Sequence, residues 1–480
     1  MVSRSIGVIL LCLCMLSIDA NAATGDTKSR SNFIVIFIDD MGWGDFSCFG
    51  NQSAKTPSMD RLASEGIRFA QFYVNSPICS PSRTALTTGQ YPQRWRIGSY
   101  LSNREENARR GIADWLDPRA PTLARILQHH GYATGHFGKW HMGGQRDVGD
   151  APSIADYGFD ESLTNFEGLG PRLLPLLETG EKSGAKRYAL GSDRLGRGPI
   201  LWTDRTQVTS GYVRAAIEFA KKSNAGGKPF FINVWPDDVH SPFFPQRAKR
   251  GDGSKRTLYH AVLESMDEQL EDLFSFVRND PQLRANTLVL VCSDNGPEPG
   301  AGSSGPFRGA KTTLYEGGIR SPLIVWGPGL VEPAKHGTWN DTSHLVAMDV
   351  APTLLQVARI EVPENIQFDG EPLAETILGR AESSRRQPIY WRRPPDRKTW
   401  SSAGLNSPLP DLAMRDGNWK LLCEYDGSKP ELYDLEIDRG EAANKAAEQT
   451  QVVAAMTKRL LHWHHSLPPD HGQHYQPAVK

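Results

Sequence analysis

Hydrophobic and polar positions along the chain follow two alternating patterns. Phe33-Ile34-Val35-Ile36-Phe37-Ile38 is an unbroken apolar run, as a parallel strand covered on both faces requires. Phe230–Trp235, Thr287–Cys292 and Pro322–Trp326 repeat it. Between these runs the period becomes helical: Val213, Ala216, Ile217 and Ala220 share one face of Val208–Lys222, and Val262, Met266, Leu270 and Phe274 share one face of Thr257–Val277. Thr56-Pro57 opens a further helix with a cap residue and proline at the first position, and Gly66 can close it. This alternation predicts an α/β fold, a large, mostly parallel sheet sandwiched by helices, over residues 31–385. Near Arg385 the pattern gives way to short strands and turns. Met414–Leu421 reads as strand, turn and strand with Asp416-Gly417 at the turn, Glu431–Leu435 as a strand, and Val452–His465 as a helix. Residues 386–480 are therefore expected to form a smaller C-terminal α+β subdomain on an antiparallel sheet.

The N-terminus changes the picture. Arg4, an apolar run from Ile6 to Ile18, and then Ala20-Asn21-Ala22 have the form of a signal peptide over residues 1–22. The run is too short to span a bilayer, and Leu13 before Cys14 does not fit a lipid-anchored cysteine. The expected location is the periplasm or the exterior. Of six cysteines, the mature chain keeps Cys48, Cys79, Cys292 and Cys423; a chain of 480 residues has no need of disulfide staples, although a Cys48–Cys423 bridge stays open. A net charge of -1 with 39% hydrophobic residues suits a large globular enzyme and argues against nucleic acid or membrane as partner.

Open α/β sheets place their chemistry beyond the carboxyl ends of the strands. Here the first strand ends in Asp39-Asp40, the Thr287 strand runs into Asp294-Asn295, and the Phe230 strand into Asp237-Asp238-Val239-His240. Turns alone can explain any one of these. Paired oxygen ligands at two separate strand ends point instead to a divalent cation, calcium or magnesium rather than zinc.

A lone thiol stands in Cys79-Ser80-Pro81-Ser82-Arg83. Three residues between cysteine and arginine are too few for a cysteine phosphatase, and no G-x-S-x-G elbow is present. The stretch, with its Leu86-Thr87-Thr88-Gly89 tail, resembles the signature of the type I sulfatases of the alkaline phosphatase superfamily, in particular the N-acetylgalactosamine-6-sulfatase and arylsulfatase A branch. The tail departs at Thr87, where the family often has Leu, and at Gln90, where it often has Arg. The resemblance runs from about Ser31 to about His465. It implies that Cys79 is oxidised to formylglycine by a formylglycine-generating or anaerobic sulfatase-maturating enzyme. It also implies one Ca2+ held by Asp39, Asp40, Asp294 and Asn295, with modified Cys79 completing the shell. Lys139 and His141 match the family's Lys-x-His motif, His240 its later histidine and Lys311 its late lysine, while Asn165 lies near a further polar substrate-binding position.

The same resemblance implies a mechanism. One hydroxyl of the hydrated aldehyde attacks sulfur, and the other later loses a proton so that sulfate is expelled. His240 is then the candidate acid for the departing alcohol, with Lys311 beside it, and His141 the base for the second step. Arg83 steadies the hydrate while Lys139 and Lys311 hold sulfate oxygens. A divalent cation with Arg83, Lys139 and Lys311 outweighs the charge of Asp39, Asp40 and Asp294, so the site favours an anion. Charge does not separate sulfate from phosphate; a phosphatase or phosphodiesterase of the superfamily is the alternative enzyme, and a non-catalytic sulfated-glycan binder the alternative if Cys79 is never oxidised. Two basic stretches, Lys182, Lys186, Arg187, Arg194 and Arg197, then Arg392, Arg393, Arg397 and Lys398 beside Tyr390, Trp391 and Trp400, are expected in loops where they would attract a polyanionic sugar. The expectation is a secreted sulfatase acting on a sulfated carbohydrate.

Overall fold

The apolar runs form the centre of one sheet. The computed structural model describes residues 30–144, 147–165, 169–178, 185–189, 192–195, 197–396, 408–472 and 474; the expected signal segment, Lys182, Arg397, Lys398 and Trp400 lie outside them. The first domain contributes β1 (Asn32–Ile38), β2 (Ile67–Tyr73), β3 (Ala133–Lys139), β4 (Glu161–Asn165), β5 (Arg172–Glu178), β6 (Ala185–Arg187), β7 (Ile200–Asp204), β8 (Phe230–Trp235), β9 (Thr287–Ser293), β10 (Arg320–Trp326) and β11 (Thr338–Val346). They make an 11-stranded sheet in the order β11-β2-β10-β9-β1-β8-β3-β4-β5-β6, with β7 paired to β5. Most pairs are parallel; β10 runs antiparallel to both β2 and β9.

Alternate side chains of β1 feed two cores. Phe33, Val35 and Phe37 pack on one face of the sheet, and Ile34, Ile36 and Ile38 on the other, which is why the run carries no polar residue. Each such fully buried side chain contributes about 1.5–3 kcal/mol. The helices Val208–Ala225 and Lys255–Asn279 cover the second face. Pro57–Glu65 is a helix as the sequence indicates, but Thr56 does not cap it. Its first amides, on Ser58 and Met59, donate to the Asp267 carboxylate at 3.0 Å each, from 209 and 208 residues away.

The strand register sets the site. Ile38 pairs with Ser293, Phe37 with Cys292, and Gly138 of β3 with Trp235 of β8. Asp39-Asp40, Asp294-Asn295, Lys139 and the chain after Trp235 therefore leave the sheet side by side. Lys139 pairs in turn with Asn165 at the end of β4.

A second, 4-stranded antiparallel sheet holds β12 (Ile389–Arg392), β13 (Leu412–Asp416), β14 (Trp419–Cys423) and β15 (Glu431–Asp434), and the helix Thr450–Ser466 packs on it. It docks through an apolar cluster that includes Tyr73 and Ala85 of the first domain. A buried charge group reinforces the seam: Lys420 Nζ lies 2.9 Å from Glu316 and 2.8 Å from Glu441.

One open question is closed here and two expectations are corrected. Cys48, Cys79, Cys292 and Cys423 are all free thiols, so Cys48 and Cys423 are not bridged. Arg392 and Arg393 are not loop cations. Both are buried: Arg393 pairs with Asp411, while Arg392 donates to the carbonyls of His464 at 3.0 Å and Pro468 at 2.8 Å. Nor do Tyr390 and Trp391 present a sugar-stacking surface. Trp391 is fully buried with Nε1 donating to Val74 O at 2.7 Å, and Tyr390 stacks on Trp463 at 5.2 Å.

Candidate functional site

Cys79 is the first residue of the helix Cys79–Thr88, and Arg83 follows one turn later on the same face. Both are buried. The Arg83 guanidinium reaches Asp294 at 2.7 Å and Asp39 at 3.3 Å, donates to Lys139 O at 3.0 Å, and lies over the Trp235 ring at 5.2 Å. One arginine thus ties together the ends of β1, β9 and β3. Lys139 Nζ bonds Asp39 at 2.6 Å, and Lys311 pairs with Asp40. The strand ends are tightly turned. Asp40 and His141 adopt positive φ of 60° and 55°, a left-handed conformation costing roughly 1–3 kcal/mol in a non-glycine residue. Gly138 precedes Lys139 at φ 127°, and a Cβ there would stand 2.2 Å from Trp235 O.

Asp39, Cys79 and Asp294 each present a ligand atom, all within 4.8 Å of one another. Beside them the buried Asn295 Oδ1 has no hydrogen-bond partner, a cost of about 1–3 kcal/mol unless something fills the gap, and Asp39 Oδ1 has only the Arg83 guanidinium, at 3.3 Å. Asn295 is oriented by its amide nitrogen, which donates to Asp40 Oδ1 at 2.8 Å and to Gly296 O at 2.9 Å. A set of hard oxygens with one neutral amide fits a single hard cation of the calcium or magnesium kind. Asp40 is outside the three-residue group: its oxygens meet Asn295 and Lys311, with His240 Nε2 at 3.7 Å.

The electrostatics follow from burial. Burial opposes ionisation of Asp39, but Lys139, His240 and Arg83 outweigh it and hold the carboxyl well below its usual range. Burial, with Asp39 as the nearest like charge, pushes Asp294 up, and burial pushes the Cys79 thiol up to about 12. His240 and His141 are both shifted down, by burial first and by Lys139 next. His240 Nδ1 donates to Ser241 O at 2.7 Å, which turns Nε2 toward Asp40. His141 Nε2 donates to Leu101 O at 3.2 Å, which leaves Nδ1 as the ring nitrogen with the lone pair.

Beyond His240 the site opens into a cleft whose lining includes Asn165, Leu174, Tyr188, Arg205, Asp237 and Pro242. Asn165 Oδ1 is buried there without a hydrogen-bond partner. Arg205 is held by Asp237, with bonds of 2.9 Å to its carboxylate and 2.6 Å to its carbonyl. The structure thus brings Asp39, Asp40, Cys79, Arg83, Lys139, His141, Asn165, His240, Asp294, Asn295 and Lys311 to one end of the sheet. Tyr188 and Arg205 escaped the sequence reading; the acidic Asp237-Asp238 pair before His240 was the trace that a buried cation would need to answer.

The sequence profile of the sulfatase family matches residues 31–360. The chain belongs to the sulfatase family. A second profile, for the C-terminal region of N-sulphoglucosamine sulphohydrolase, matches residues 307–466. The chain is 33% identical to the N-acetylgalactosamine-6-sulfatase of Canis lupus familiaris over 374 residues, covering 75% of this chain and 68% of that one. It is 30% identical to arylsulfatase A of Homo sapiens over 452 residues, covering 86% and 83%. Among solved structures, Ps i-CgsB in complex with k-i-k-neocarrahexaose superposes with a TM-score of 0.73 at 24% identity, over 90% of this chain and 92% of that one. The enzyme is accordingly a sulfuric ester hydrolase, and its large sheet with a separate small antiparallel sheet is the alkaline phosphatase-like fold of its structural neighbours. Among the described residues no helix is long and apolar enough to cross a membrane.

Proposed function

We propose that this sulfatase is exported to the periplasm or the exterior and hydrolyses sulfate monoesters of a carbohydrate, using one calcium ion and a formylglycine made from Cys79. The observation that carries the reading is the buried Asp39–Cys79–Asp294 group enclosed by Arg83, Lys139 and Lys311 and opening onto the His240 cleft. Asp39, Asp40, Asp294 and Asn295 would hold the calcium, beside residue 79. When present, calcium supplies polarisation of a sulfate oxygen, and formylglycine supplies a hydrated aldehyde that attacks sulfur and can expel sulfate by reverting to the carbonyl.

The chain's own residues do the rest. Lys139 and Lys311 bind the two remaining sulfate oxygens, and their pairing with Asp39 and Asp40 keeps both ammonium groups charged and oriented before substrate arrives. Arg83, locked by Asp294, Asp39 and the Lys139 carbonyl, fixes residue 79 against the strand ends. His240 turns Nε2 toward the place where the ester oxygen leaves, and its imidazolium form, which Asp39 and Asp40 favour, gives that oxygen the Nε2 proton and returns to the neutral ring. His141 receives a proton at Nδ1 in the step that releases sulfate. Asn165 and Tyr188 line the space the alcohol must occupy, and the exposed Lys186 and Arg187 just before Tyr188 favour an anionic chain over a neutral one. The sugar chemistry named for the relatives and for the carrageenan-bound neighbour supports a carbohydrate as substrate. Oligosaccharides or chain ends are the expected form of that substrate, with aryl sulfates as weak surrogates.

The test is sulfate release by protein matured with a formylglycine-forming enzyme, across chondroitin and carrageenan oligosaccharides, p-nitrophenyl sulfate and matched phosphates. At least one sulfated sugar should exceed the aryl ester in kcat/KM. A preference for phosphate, or for the aryl ester over every sugar, refutes the assignment.

A further inference from the structure

The loop after Asp40 builds a second recess. Trp43 stands as a wall between two clefts, and Pro306 also borders both. The larger, about 440 Å³, is lined by Trp43, Phe49, Gln52, Ser53, Arg256 and His260 among others, with no carboxylate. The smaller, about 240 Å³, is bordered by Trp43 and Trp339, whose rings pack on each other at 6.2 Å, and by Phe307, Arg320, Arg439 and one carboxylate, Asp341. Trp43 meets Phe49 and Phe307 edge-on at 5.2 and 5.0 Å. Its Nε1 donates to Ala70 O at 3.2 Å, so the ring is fixed. Trp339 is 42% exposed, a rare exposure for so large an apolar side chain in this protein, and Arg68 lies over it at 4.4 Å.

The cations here differ from those elsewhere in the chain. Arg320 is satisfied by Glu316 at 3.0 Å. Arg68, Arg256 and Arg439 make no ion pair among the described residues. Exposed indole faces take the C–H face of a sugar ring, and unpaired guanidinium groups take its sulfate or carboxylate in bidentate fashion. The recess is also joined to the reaction centre. The chain from Pro297 to Lys311 borders the clefts through Ala301, Ser303 and Pro306 and delivers Lys311 to Asp40. Asp45 ties that chain to the loop after Asp40, accepting from Gly42 N at 2.6 Å and Ser303 N at 2.7 Å.

We propose that the Trp43–Trp339 recess is a second saccharide site, which holds an anionic sugar unit of the substrate chain at a distance from the ester being cleaved. This rests on the carbohydrate reading above and adds a length requirement to it: a chain long enough to reach both places binds more tightly than a short one.

Binding is measured by calorimetry on the full Cys79→Ala protein, which needs no turnover, with chondroitin-6-sulfate and κ-carrageenan fragments of two and of ten sugars. At least one decasaccharide should bind about tenfold more tightly than its disaccharide. Trp339→Ser and Arg256→Ser, each made on that background and checked for an unchanged unfolding temperature, should erase most of this advantage. A length advantage that survives both substitutions, or no length advantage with either polymer, overturns the proposal. Failure of the matured enzyme to hydrolyse any sulfated sugar would overturn the substrate reading instead, and the calorimetry would still decide the recess.

Discussion

Asp45 offers a prediction whose size can be worked out. Its carboxylate is fully buried and accepts from Gly42 N, Ser303 N and the Tyr259 hydroxyl. Burial pushes it up to about 7 despite those donors, which act in the opposite direction. The folded protein therefore keeps the proton where the unfolded chain, near its ordinary value of 3.8, has released it. The sign follows: folding carries no Asp45 penalty at low pH, the penalty grows as pH rises from about 4, and it is complete above about 7. At 1.36 kcal/mol per pKa unit it reaches about 4 kcal/mol.

Asp45→Asn removes this titration. The amide also replaces one acceptor with a donor, leaving the Gly42 or the Ser303 amide without its bond, a loss of about 1–3 kcal/mol at every pH. The variant should thus be less stable than the parent by about 1–2 kcal/mol at pH 4.5 and more stable by about 2 kcal/mol at pH 8, with the curves crossing between pH 5 and 6.5. For a chain this large each kcal/mol moves Tm by about 1 °C. Thermal unfolding of both proteins at one scan rate, from pH 4.5 to 8, reads the swing directly. A Tm difference that does not change with pH would refute the reasoning.

The other predictions concern the reaction. Cys79→Ala should fold with an unchanged Tm and retain less than about 0.1% of kcat, a loss of at least about 4 kcal/mol in transition-state stabilisation; unmodified protein should gain activity when matured, as its Cys79 peptide loses sulfur and two hydrogens and gains the aldehyde oxygen. Asp294→Asn should lose both bound calcium, read by elemental analysis, and turnover, while chelation should lower the parent's Tm because the ion binds the folded state alone; two zinc ions per chain would contradict the donor set. If His240 serves the departing alcohol, His240→Ala should depress sugar sulfates about 100-fold more than an activated aryl sulfate. His141→Ala should depress both alike and accumulate sulfated enzyme, seen by intact-protein mass spectrometry; equal leaving-group sensitivity in the two would end that division of roles.

Much of this was legible in the sequence because the fold writes its centre locally. A strand buried on both faces must be apolar throughout, as Phe33–Ile38 is, and its first polar residues must then be the ones at its end. Those residues are Asp39 and Asp40. Direction was less legible: β10 runs antiparallel to both β2 and β9, yet its Leu323–Trp326 stretch is as apolar as the parallel strands β1 and β8, since burial on both faces imposes the same composition either way. The edge strands β4 to β7 lack that signal, and with them went Tyr188 and Arg205. Long-range partners were invisible too. Asp267 caps a helix more than 200 residues away, and nothing near Thr56 indicates it. Arg392 and Arg393 looked like surface cations because a buried arginine and an exposed one share a sequence; what separates them is Asp411 and the carbonyls of the closing helix.

That last contrast says where an anion belongs on this enzyme. Burying a guanidinium without compensation costs several kcal/mol, so each interior arginine must have its answer built in, and each does: Arg393 has Asp411, Arg205 has Asp237, and Arg385 has Asp349. Arg83 is the instructive case. It is matched by Asp39 and Asp294, yet beside it Asn295 Oδ1 lacks a partner and Asp39 Oδ1 has only Arg83 itself, at 3.3 Å. A cation there would complete the oxygens, and its added positive charge is what a sulfate would then neutralise. Arg68, Arg256 and Arg439 stand near the surface with no carboxylate partner among the described residues; Arg68 is held by the Cys48 and Gly337 carbonyls at 3.1 and 3.0 Å, and none of the three has its charge neutralised. Such groups gain from an anion without having to give one up. In a chain of net charge -1, three of them gathered around two tryptophans concentrate that gain in one place, close to the loop that carries Asp40.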